Sequence, residues 1–332
     1  YMLNSYWEYA GTRYKNKFRA IDASRGNIND ISFTYFDNNP SFSDFAWSIE
    51  PQTPLNELMK NRAQQLRDKY TYLKLWYSGG HDSTTVLNTF MNNNIHLDEI
   101  VVYRFSGNNN FDSDLGDYEI NNYTLPYLKN IQNKLPKTKI TVYEFGKDHF
   151  DKHLGEKWFY TKNNFSVRHF YIPKINGKNY CHIFGGNDPN ADYENGEWFL
   201  DIWDTDAIEL TSFNNIELFY TTPDLPKLHC KQCHILKNIL KKNKLFKSTR
   251  AEKKKIIREL LRDVPPVILN KSLAKTSHGF FDSPKENETI KSTFTKEQKD
   301  KFRYMISNVT ISNIPIYRVF KGYRSNRFSL GV

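Results

Sequence analysis

Residues 72–91 of the chain read YLKLWYSGGHDSTTVLNTFM, and this stretch decides the fold. Its first part, residues 72–77, has the length and the aromatic content of a buried strand. The run ends in residues 78–83 (SGGHDS), after which apolar residues recur on one helical face, at Val86, Leu87, Phe90 and Met91. The stretch therefore predicts a strand, a glycine-rich turn and a helix in immediate succession.

Strands and helices alternate on both sides of this stretch. Upstream, Thr53 as a helix cap and Pro54 in the first turn predict a helix whose apolar spacing continues to about Lys69. Downstream, a helical pattern at 115–135 lies among three strand-like runs, at residues 100–105, 140–145 and 180–184. Such alternation is typical of a parallel sheet with crossover helices, so the predicted fold class is α/β.

Three regions are predicted along the chain. Residues 1–52 are rich in aromatic residues without a sustained period, and they predict an irregular or short-stranded layer packed on a larger domain. Their rings belong either to a core or to a base-stacking face. Residues 53–190 hold the alternating pattern. Residues 191–332 are predicted to form a mainly helical C-terminal subdomain, because apolar stripes recur between residues 236 and 261.

Composition and charge exclude several classes of protein. The chain has 332 residues, of which 39% are hydrophobic and 25% charged, so it is neither collagen-like nor wholly disordered. A formal net charge of +10 suits an anionic partner such as a nucleotide or a nucleic acid, although a solvated lysine-rich surface has the same composition. No run of about 18 apolar residues is present, so no membrane partner is expected.

The cysteine content predicts a reducing compartment. Cys181, Cys230 and Cys233 are too few for a disulfide framework. The first ten residues also lack the features of a secretory start. We therefore expect a cytoplasmic protein, whose oligomeric state the sequence does not specify.

The turn between the first core strand and its helix carries the chemistry. A helix that begins in such a turn presents backbone N–H groups and the positive end of its dipole. Gly79 and Gly80 lack the Cβ atoms that would hold a phosphate away from these amides. Asp82 fits beside a phosphate if a divalent cation bridges the two. Three positions add hydroxyl donors: Ser78, Ser83 and Thr84. The alternative is a tight turn whose glycines only permit its geometry.

Residues 78–83 resemble the SGGxDS signature of the PP-loop ATP pyrophosphatases. This superfamily includes the synthetase domain of asparagine synthetase, GMP synthetase and several tRNA-modifying enzymes. No Gly-Lys-Ser/Thr follows, as it would in a Walker A loop. The preceding residues 54–70 (PLNELMKNRAQQLRDKY) are most similar to the asparagine synthetase branch. The resemblance covers residue 53 to about residue 188 and implies a Rossmann-like fold of the PP-loop type.

The resemblance implies a site for ATP and Mg²⁺ with Asp82 and Ser83 as catalytic residues. The β- and γ-phosphates and the metal would be held by the motif, with Thr84 beside it: Ser78, Gly79, Gly80, Asp82 and Ser83. The α-phosphorus is then open to attack, and pyrophosphate leaves. The adenine would lie at the carboxyl ends of the strands, near Tyr103 and Phe105. Ordinary core packing is the alternative for these two rings.

A second glycine pair follows the strand-like run at 180–184. In the asparagine synthetase branch a glycine-rich loop with an acidic pair stands at a similar place. The resemblance therefore implies that Gly186 and Asp188 bind the cofactor, with Asp188 as a further Mg²⁺ ligand. Because Asp-Pro stands where Asp-Glu is expected, aspartate is not implied as the substrate. A simple Gly-Asn-Asp-Pro turn is the alternative.

The third feature is a C-x-x-C stretch with histidines on both sides. Cys230 and Cys233 have a spacing that suits Zn²⁺, and Cys181 would add a third thiolate for an iron–sulfur cluster. Buried free thiols are the alternative. Lys231 is a candidate catalytic residue that would reach the pyrophosphate, as basic residues in the C-terminal part do in this family.

The expected reaction is adenylation of an acceptor oxygen, followed by displacement of AMP by a nitrogen nucleophile. No cysteine precedes Cys181, so ammonia, an amine or another chain would supply the nitrogen in place of a glutaminase domain. Two other functions stay open. One is a nucleobase-, tRNA- or DNA-modifying enzyme of the same superfamily, which the basic residues 237–255 favour. The other is a non-catalytic nucleotide-binding protein.

Overall fold

A computed structural model describes most of the first 250 residues and a few short segments beyond them. The described residues are 5–35, 39–105, 120–145, 179–186, 189–203, 215–249, 252–253, 256, 310–311, 314–315 and 324–332. Within them, no helix is both long enough and apolar enough to cross a bilayer.

The N-terminal region forms an antiparallel sheet of three strands in the order β2-β1-β3. Its elements are β1 (Ser5–Tyr9), β2 (Thr12–Tyr14), α1 (Lys17–Ala23), a 3₁₀ turn (Ile28–Asp30), β3 (Ser32–Tyr35) and the short helix α2 (Pro40–Ser43). Trp7 lies opposite Phe33 with the ring centroids 4.9 Å apart, a cross-strand pair that stabilises the sheet. The region therefore has short strands, which is one of the two forms that its sequence predicts.

The remaining elements follow in chain order. They are α3 (Leu55–Lys69), β4 (Tyr72–Trp76), α4 (His81–Asn92), β5 (Glu99–Phe105), a π turn (Ile120–Thr124), α5 (Leu125–Ile131), a 3₁₀ turn (Gln132–Lys134), β6 (Lys139–Phe145), β7 (Tyr180–Phe184), β8 (Asp192–Glu194), β9 (Glu197–Trp203), β10 (Ile216–Leu218), α6 (Pro226–Lys242), β11 (Thr310–Ile311), β12 (Ile314–Pro315) and β13 (Arg324–Gly331). The first of these helices begins one residue later than the sequence predicts, with Pro54 as its cap residue.

Five parallel strands form the central sheet, in the order β10-β7-β4-β5-β6. The predicted α/β class with a parallel sheet is confirmed, and four of the strands lie where the sequence predicts them. The fifth strand, β10, comes from beyond residue 190, so the parallel sheet extends into the region predicted to be a separate subdomain. Arg62 of α3 binds this strand, because its Nη2 atom donates to Glu217 Oε2 and to the Leu218 carbonyl, each at 2.9 Å.

The described part of residues 191–332 does not confirm a mainly helical subdomain. It contains one long helix, α6, together with β10 and an antiparallel sheet in the order β13-β9-β8. In β9, Trp198, Leu200 and Ile202 are buried at every second position, with Phe199 and Asp201 between them. Alternation with a period of two is the pattern of a half-buried strand, and this explains the difference from the helical prediction.

The parallel sheet has a hydrophobic core on each face. Leu73 and Leu75 of β4 pack towards α3 and α4 on one face. Trp76 packs on the other face, against the N-terminal sheet, β9 and α6. Both faces of the sheet are therefore covered. The strands end in turns at the carboxyl edge of the sheet, which is where ligands of open α/β sheets bind.

Candidate nucleotide-binding site

The motif of residues 78–83 connects the central strand of the parallel sheet to a helix N-terminus. Gly80 is the cap residue of α4, with φ −74° and ψ 172°. The Thr84 amide donates to the Gly80 carbonyl at 3.0 Å, which is the first backbone bond of the helix. The amides just before Thr84 therefore have no carbonyl within the helix to receive them, as at any helix start. The positive end of the helix dipole lies at the same place.

The two glycines of the turn have different structural roles. Gly79 has φ +75°, in the left-handed region where a side chain is strained. Gly80 has ordinary dihedral angles, but among the described residues a Cβ atom placed on it would meet only Ser78 Oγ, at 3.5 Å, within a radius of 4 Å. The space over Gly80 is therefore open, and a Cβ would occupy room through which an anion reaches the amides. This geometry fits a phosphate group.

The hydroxyl groups of the turn bind one another and the backbone. Ser78 N donates to Ser83 Oγ at 3.2 Å, and Ser83 Oγ donates to the Gly80 carbonyl at 3.3 Å. The two serine hydroxyls are also 3.2 Å apart. Thr84 is placed differently from the prediction, because its hydroxyl lies in the core beneath the turn, 3.2 Å from the hydroxyl of Tyr77. The serines thus shape the turn, whereas Thr84 packs the helix on the strand.

Asp82 is held from two sides through its backbone. The hydroxyl of Tyr220 donates to the Asp82 carbonyl at 3.0 Å. A Cβ atom on Gly185 would lie 3.0 Å from the Asp82 carbonyl carbon and oxygen and 3.1 Å from Ser83 N. The segment after β7 therefore approaches the first turn of α4 so closely that a Cβ at this position would displace the backbone by a few tenths of an ångström. The half-buried Asp82 side chain supplies one carboxylate, and Mg²⁺ bound together with phosphates commonly uses one or two carboxylates of the protein.

Tyr220 and Gly185 were not among the predicted site residues. The glycine pair at 185–186 after a strand is a usable sequence signal for a close approach. Tyr220 has no such signal, because its contact joins residues 138 positions apart in the chain.

Of the other predicted cofactor residues, Gly186, Tyr103 and Phe105 lie at or near the carboxyl edge of the sheet. Gly186 directly follows the glycine that touches the turn, whereas Asp188 lies outside the described residues. Tyr103 is 7% exposed and packs in the core, with its ring centroid 6.2 Å from that of Trp76. Phe105 ends β5, and its side chain also lies outside what the structure describes.

Lys231 forms an ion pair with the segment that precedes α3. Its Nζ atom is 2.7 Å from Glu50 Oε1 and donates to the Pro51 carbonyl at 3.0 Å. Burial alone would raise the pKa of Glu50, but the hydrogen bond and the charge of Lys231 outweigh it and lower that pKa. Lys231 thus connects α6 to residues 50–51, and a role at the pyrophosphate stays a prediction.

The structure does not bring the three cysteines together. Cys230 and Cys233 belong to the core that contains Trp76, whereas Cys181 belongs to the core on the other face of the sheet. Cys230 Sγ donates to the Trp47 carbonyl at 3.5 Å. Burial raises the pKa of the Cys230 thiol to about 12 and also raises that of Cys233. Metal ligands must be deprotonated, so these surroundings disfavour a thiolate site.

The histidines beside the C-x-x-C stretch also have partners within the protein. His234 Nε2 lies 2.8 Å from the Trp47 carbonyl, and His229 Nδ1 lies 3.2 Å from Thr221 Oγ1. Over the described ranges, no group of three or more His, Cys, Asp or Glu residues is arranged to hold a metal ion. The stretch is therefore part of the packing of α6 in the described structure.

Comparison with known proteins gives no match: no family model, no curated protein and no solved structure is significantly similar to the chain. The residues of the turn and their geometry are therefore the basis for a function.

Proposed function

We propose that the chain binds ATP with Mg²⁺ at residues 78–83 and transfers the adenylate group to an oxygen atom of an acceptor, with release of pyrophosphate. One observation carries the proposal. The SGGHDS turn lies between the central parallel strand and the N-terminus of α4, with Gly79 at φ +75° and open space over Gly80. Helix N-termini in this setting bind phosphate through their amides and their dipole.

The groups of the turn have different roles at the triphosphate. Backbone amides of the first turn of α4 face the β- and γ-phosphates, and the two serine hydroxyls keep the turn in shape. The carboxylate of Asp82 would hold Mg²⁺, which when bound supplies positive charge next to the leaving pyrophosphate. Tyr220 and Gly185 fix the backbone of Asp82 and so keep its carboxylate in place.

The bond changes in the proposed reaction are those of a substitution at phosphorus. An acceptor oxygen, from a carboxylate, an amide or a carbonyl group, forms a bond to the α-phosphorus. The bond from that phosphorus to the oxygen bridging the α- and β-phosphates breaks, and the electron pair leaves with pyrophosphate. A nitrogen nucleophile then displaces AMP from the acceptor, giving a carbon–nitrogen bond.

Product analysis tests this proposal. The protein is incubated with Mg²⁺ and ATP labelled at the α- or the γ-phosphate, with panels of carboxylate and amide acceptors and ammonia. Formation of AMP and pyrophosphate supports adenylation, and its loss in Asp82→Asn assigns it to this turn. Formation of ADP and phosphate contradicts the proposal. ATP binding without turnover across the acceptors favours a non-catalytic nucleotide-binding protein.

A second candidate function is modification of a nucleobase within a nucleic acid by the same adenylation chemistry. The observation that favours it is a group of exposed lysines at the end of α6 and just beyond it, at Lys242, Lys244 and Lys247. Nucleic acid acceptors added to the same product analysis distinguish the two candidates.

A further inference from the structure

Two aromatic rings lie exposed beside the end of α6. Tyr193 of β8 is 38% exposed and Phe246 is 39% exposed, and their ring centroids are 4.9 Å apart. Both rings rest on Trp198, which is 1% exposed, at centroid distances of 5.1 Å and 6.0 Å. Because Trp198 beneath them is buried and the two outer rings are exposed, this pair forms an apolar platform at the surface.

The chain turns Phe246 outward through the geometry at the end of α6. Leu245 N donates to the Leu240 carbonyl at 2.8 Å, and Lys244 N donates to the Lys241 carbonyl at 3.1 Å, a pair of bonds typical of a Schellman motif. Leu245 then packs against the core, and Phe246 faces solvent. Lys244 has φ +56°, where glycine is the usual residue.

The hairpin of β8 and β9 does not neutralise the lysines that lie near Phe246 in the sequence. Its acidic side chains bind elsewhere: Asp192 to Lys253, Glu194 to Arg327 and Glu197 to Ser329. Lys242, Lys244 and Lys247 are exposed and have no ion-pair partner among the residues that the structure describes. Lys242 also complements the dipole at the carboxyl end of α6, but the other two lie beyond the helix.

We propose that an aromatic–lysine patch, defined as Tyr193, Phe246, Lys242, Lys244 and Lys247, binds single-stranded nucleic acid. Unpaired bases stack on the two rings, and the lysines contact the phosphates on either side. Aromatic side chains next to unpaired lysines suit this ligand better than a duplex, whose bases are already stacked on one another. The proposal does not depend on the ATP site, and it goes beyond the adenylation chemistry.

Fluorescence anisotropy with labelled oligonucleotides tests the patch. The probes are a dT 12-mer, a U 12-mer and a duplex of the same length, each titrated with the full chain over a range of salt concentrations. The wild-type protein binds one or both single strands more tightly than the duplex, and the preferred strand identifies the ligand as DNA or RNA. Phe246→Ala weakens single-strand binding about tenfold or more. Lys244→Gln and Lys247→Gln each reduce the slope of log K against log salt by about 0.7.

Matched variants separate the patch from the overall positive charge. Lys60→Gln removes an exposed lysine from α3, and Ile49→Ala removes an apolar side chain that is 66% exposed. Neither variant changes the affinity for the single strands. The proposal is overturned if the duplex binds as tightly as the strands, if Lys60→Gln weakens binding as much as Lys244→Gln, or if no probe binds at low salt. ATP affinity, measured in parallel, stays the same in every patch variant, so failure of one proposal is distinguishable from failure of the other.

Discussion

The turn at residues 78–83 and the C-x-x-C stretch at residues 230–233 both suggest chemistry, and the structure places them in opposite surroundings. The turn lies at the edge of the sheet, with open space over Gly80 and a helix start behind it. The two thiols of the other stretch are buried, and burial raises their pKa values. The amides that would bind phosphate belong to the backbone of the turn, so local folding creates most of this candidate site. A thiol site also needs exposure and further ligands, which only the tertiary structure can supply.

The largest expected effect comes from Gly185→Ala. Its Cβ would lie 3.0 Å from the backbone of Asp82, so the first turn of α4 must move. We expect a loss of stability of about 1–3 kcal/mol from overpacking and a loss of ATP affinity of about tenfold or more. Thermal unfolding and calorimetric ATP titration measure the two effects. Gly196→Ala, at a hairpin turn with φ +89° and no described residue within 4 Å of the new Cβ, strains the backbone without such a contact and leaves ATP affinity unchanged. ATP affinity equal to wild type in Gly185→Ala would contradict the proposed close approach.

Asp82→Asn removes one negative charge from the turn and tests the carboxylate separately from the backbone. The amide keeps the shape of the side chain, so the thermal midpoint stays near the wild-type value. We expect Mg²⁺ to increase the ATP affinity of the wild-type protein. In the variant this increase is about tenfold smaller, because bonds to a charged group contribute about 1.5–3 kcal/mol. Titrations with and without EDTA measure the difference. An enhancement that persists unchanged in Asp82→Asn would exclude this carboxylate as the Mg²⁺ ligand.

Tyr220→Phe and Tyr35→Phe form a matched pair of smaller changes. Each removes a hydroxyl that donates to a backbone carbonyl at 3.0 Å, to Asp82 in one case and to Thr221 in the other. We expect both variants to lose about 1 kcal/mol of stability. Only Tyr220→Phe also lowers ATP affinity, by a few fold, because only its partner lies in the turn. Equal ATP affinities in the two variants would show that Tyr220 does not position the site.

The smallest effect on ATP binding is expected from Cys230→Ala and Cys233→Ala. Because burial raises the pKa of Cys230 to about 12, the thiol is neutral at pH 7 and reacts slowly with iodoacetamide until the protein unfolds. Its contribution to stability is present below the unfolded pKa of about 8.5 and is lost as the pH rises towards 12. Alkylation rates and unfolding midpoints across this pH range check the expectation. One zinc or iron atom per chain, lost in the variants, would overturn the structural role of these thiols.

The parallel sheet could be predicted because its strands are long apolar runs that alternate with helical patterns. The fifth strand, β10, could not, since three residues (Ile216–Leu218) are too few to show a period. Its place depends on Arg62, which binds Glu217 and the Leu218 carbonyl from a helix more than 150 residues away in sequence. The strands after residue 190 had a usable signal in the alternating Trp198, Leu200 and Ile202. The many acidic residues of that segment made this alternation hard to recognise in the sequence.

The candidate site also has one part that the sequence predicts and another part that it does not. The glycines and serines of residues 78–83 adopt a turn that local sequence specifies, and their place at the end of the central strand follows from the strand–helix order. Tyr220 and Gly185 act on this turn across the fold, so only tertiary structure brings them there. Thr84 is a residue of the motif whose hydroxyl the fold turns inward, towards Tyr77.

A crystal structure of the chain with Mg²⁺ and a non-hydrolysable ATP analogue tests the central claim most directly. The account predicts the β- and γ-phosphates against the backbone amides of residues 79–83, with the metal at the carboxylate of Asp82 and the α-phosphorus facing open space. A triphosphate bound at another place, or a turn whose amides face away from it, would contradict the claim.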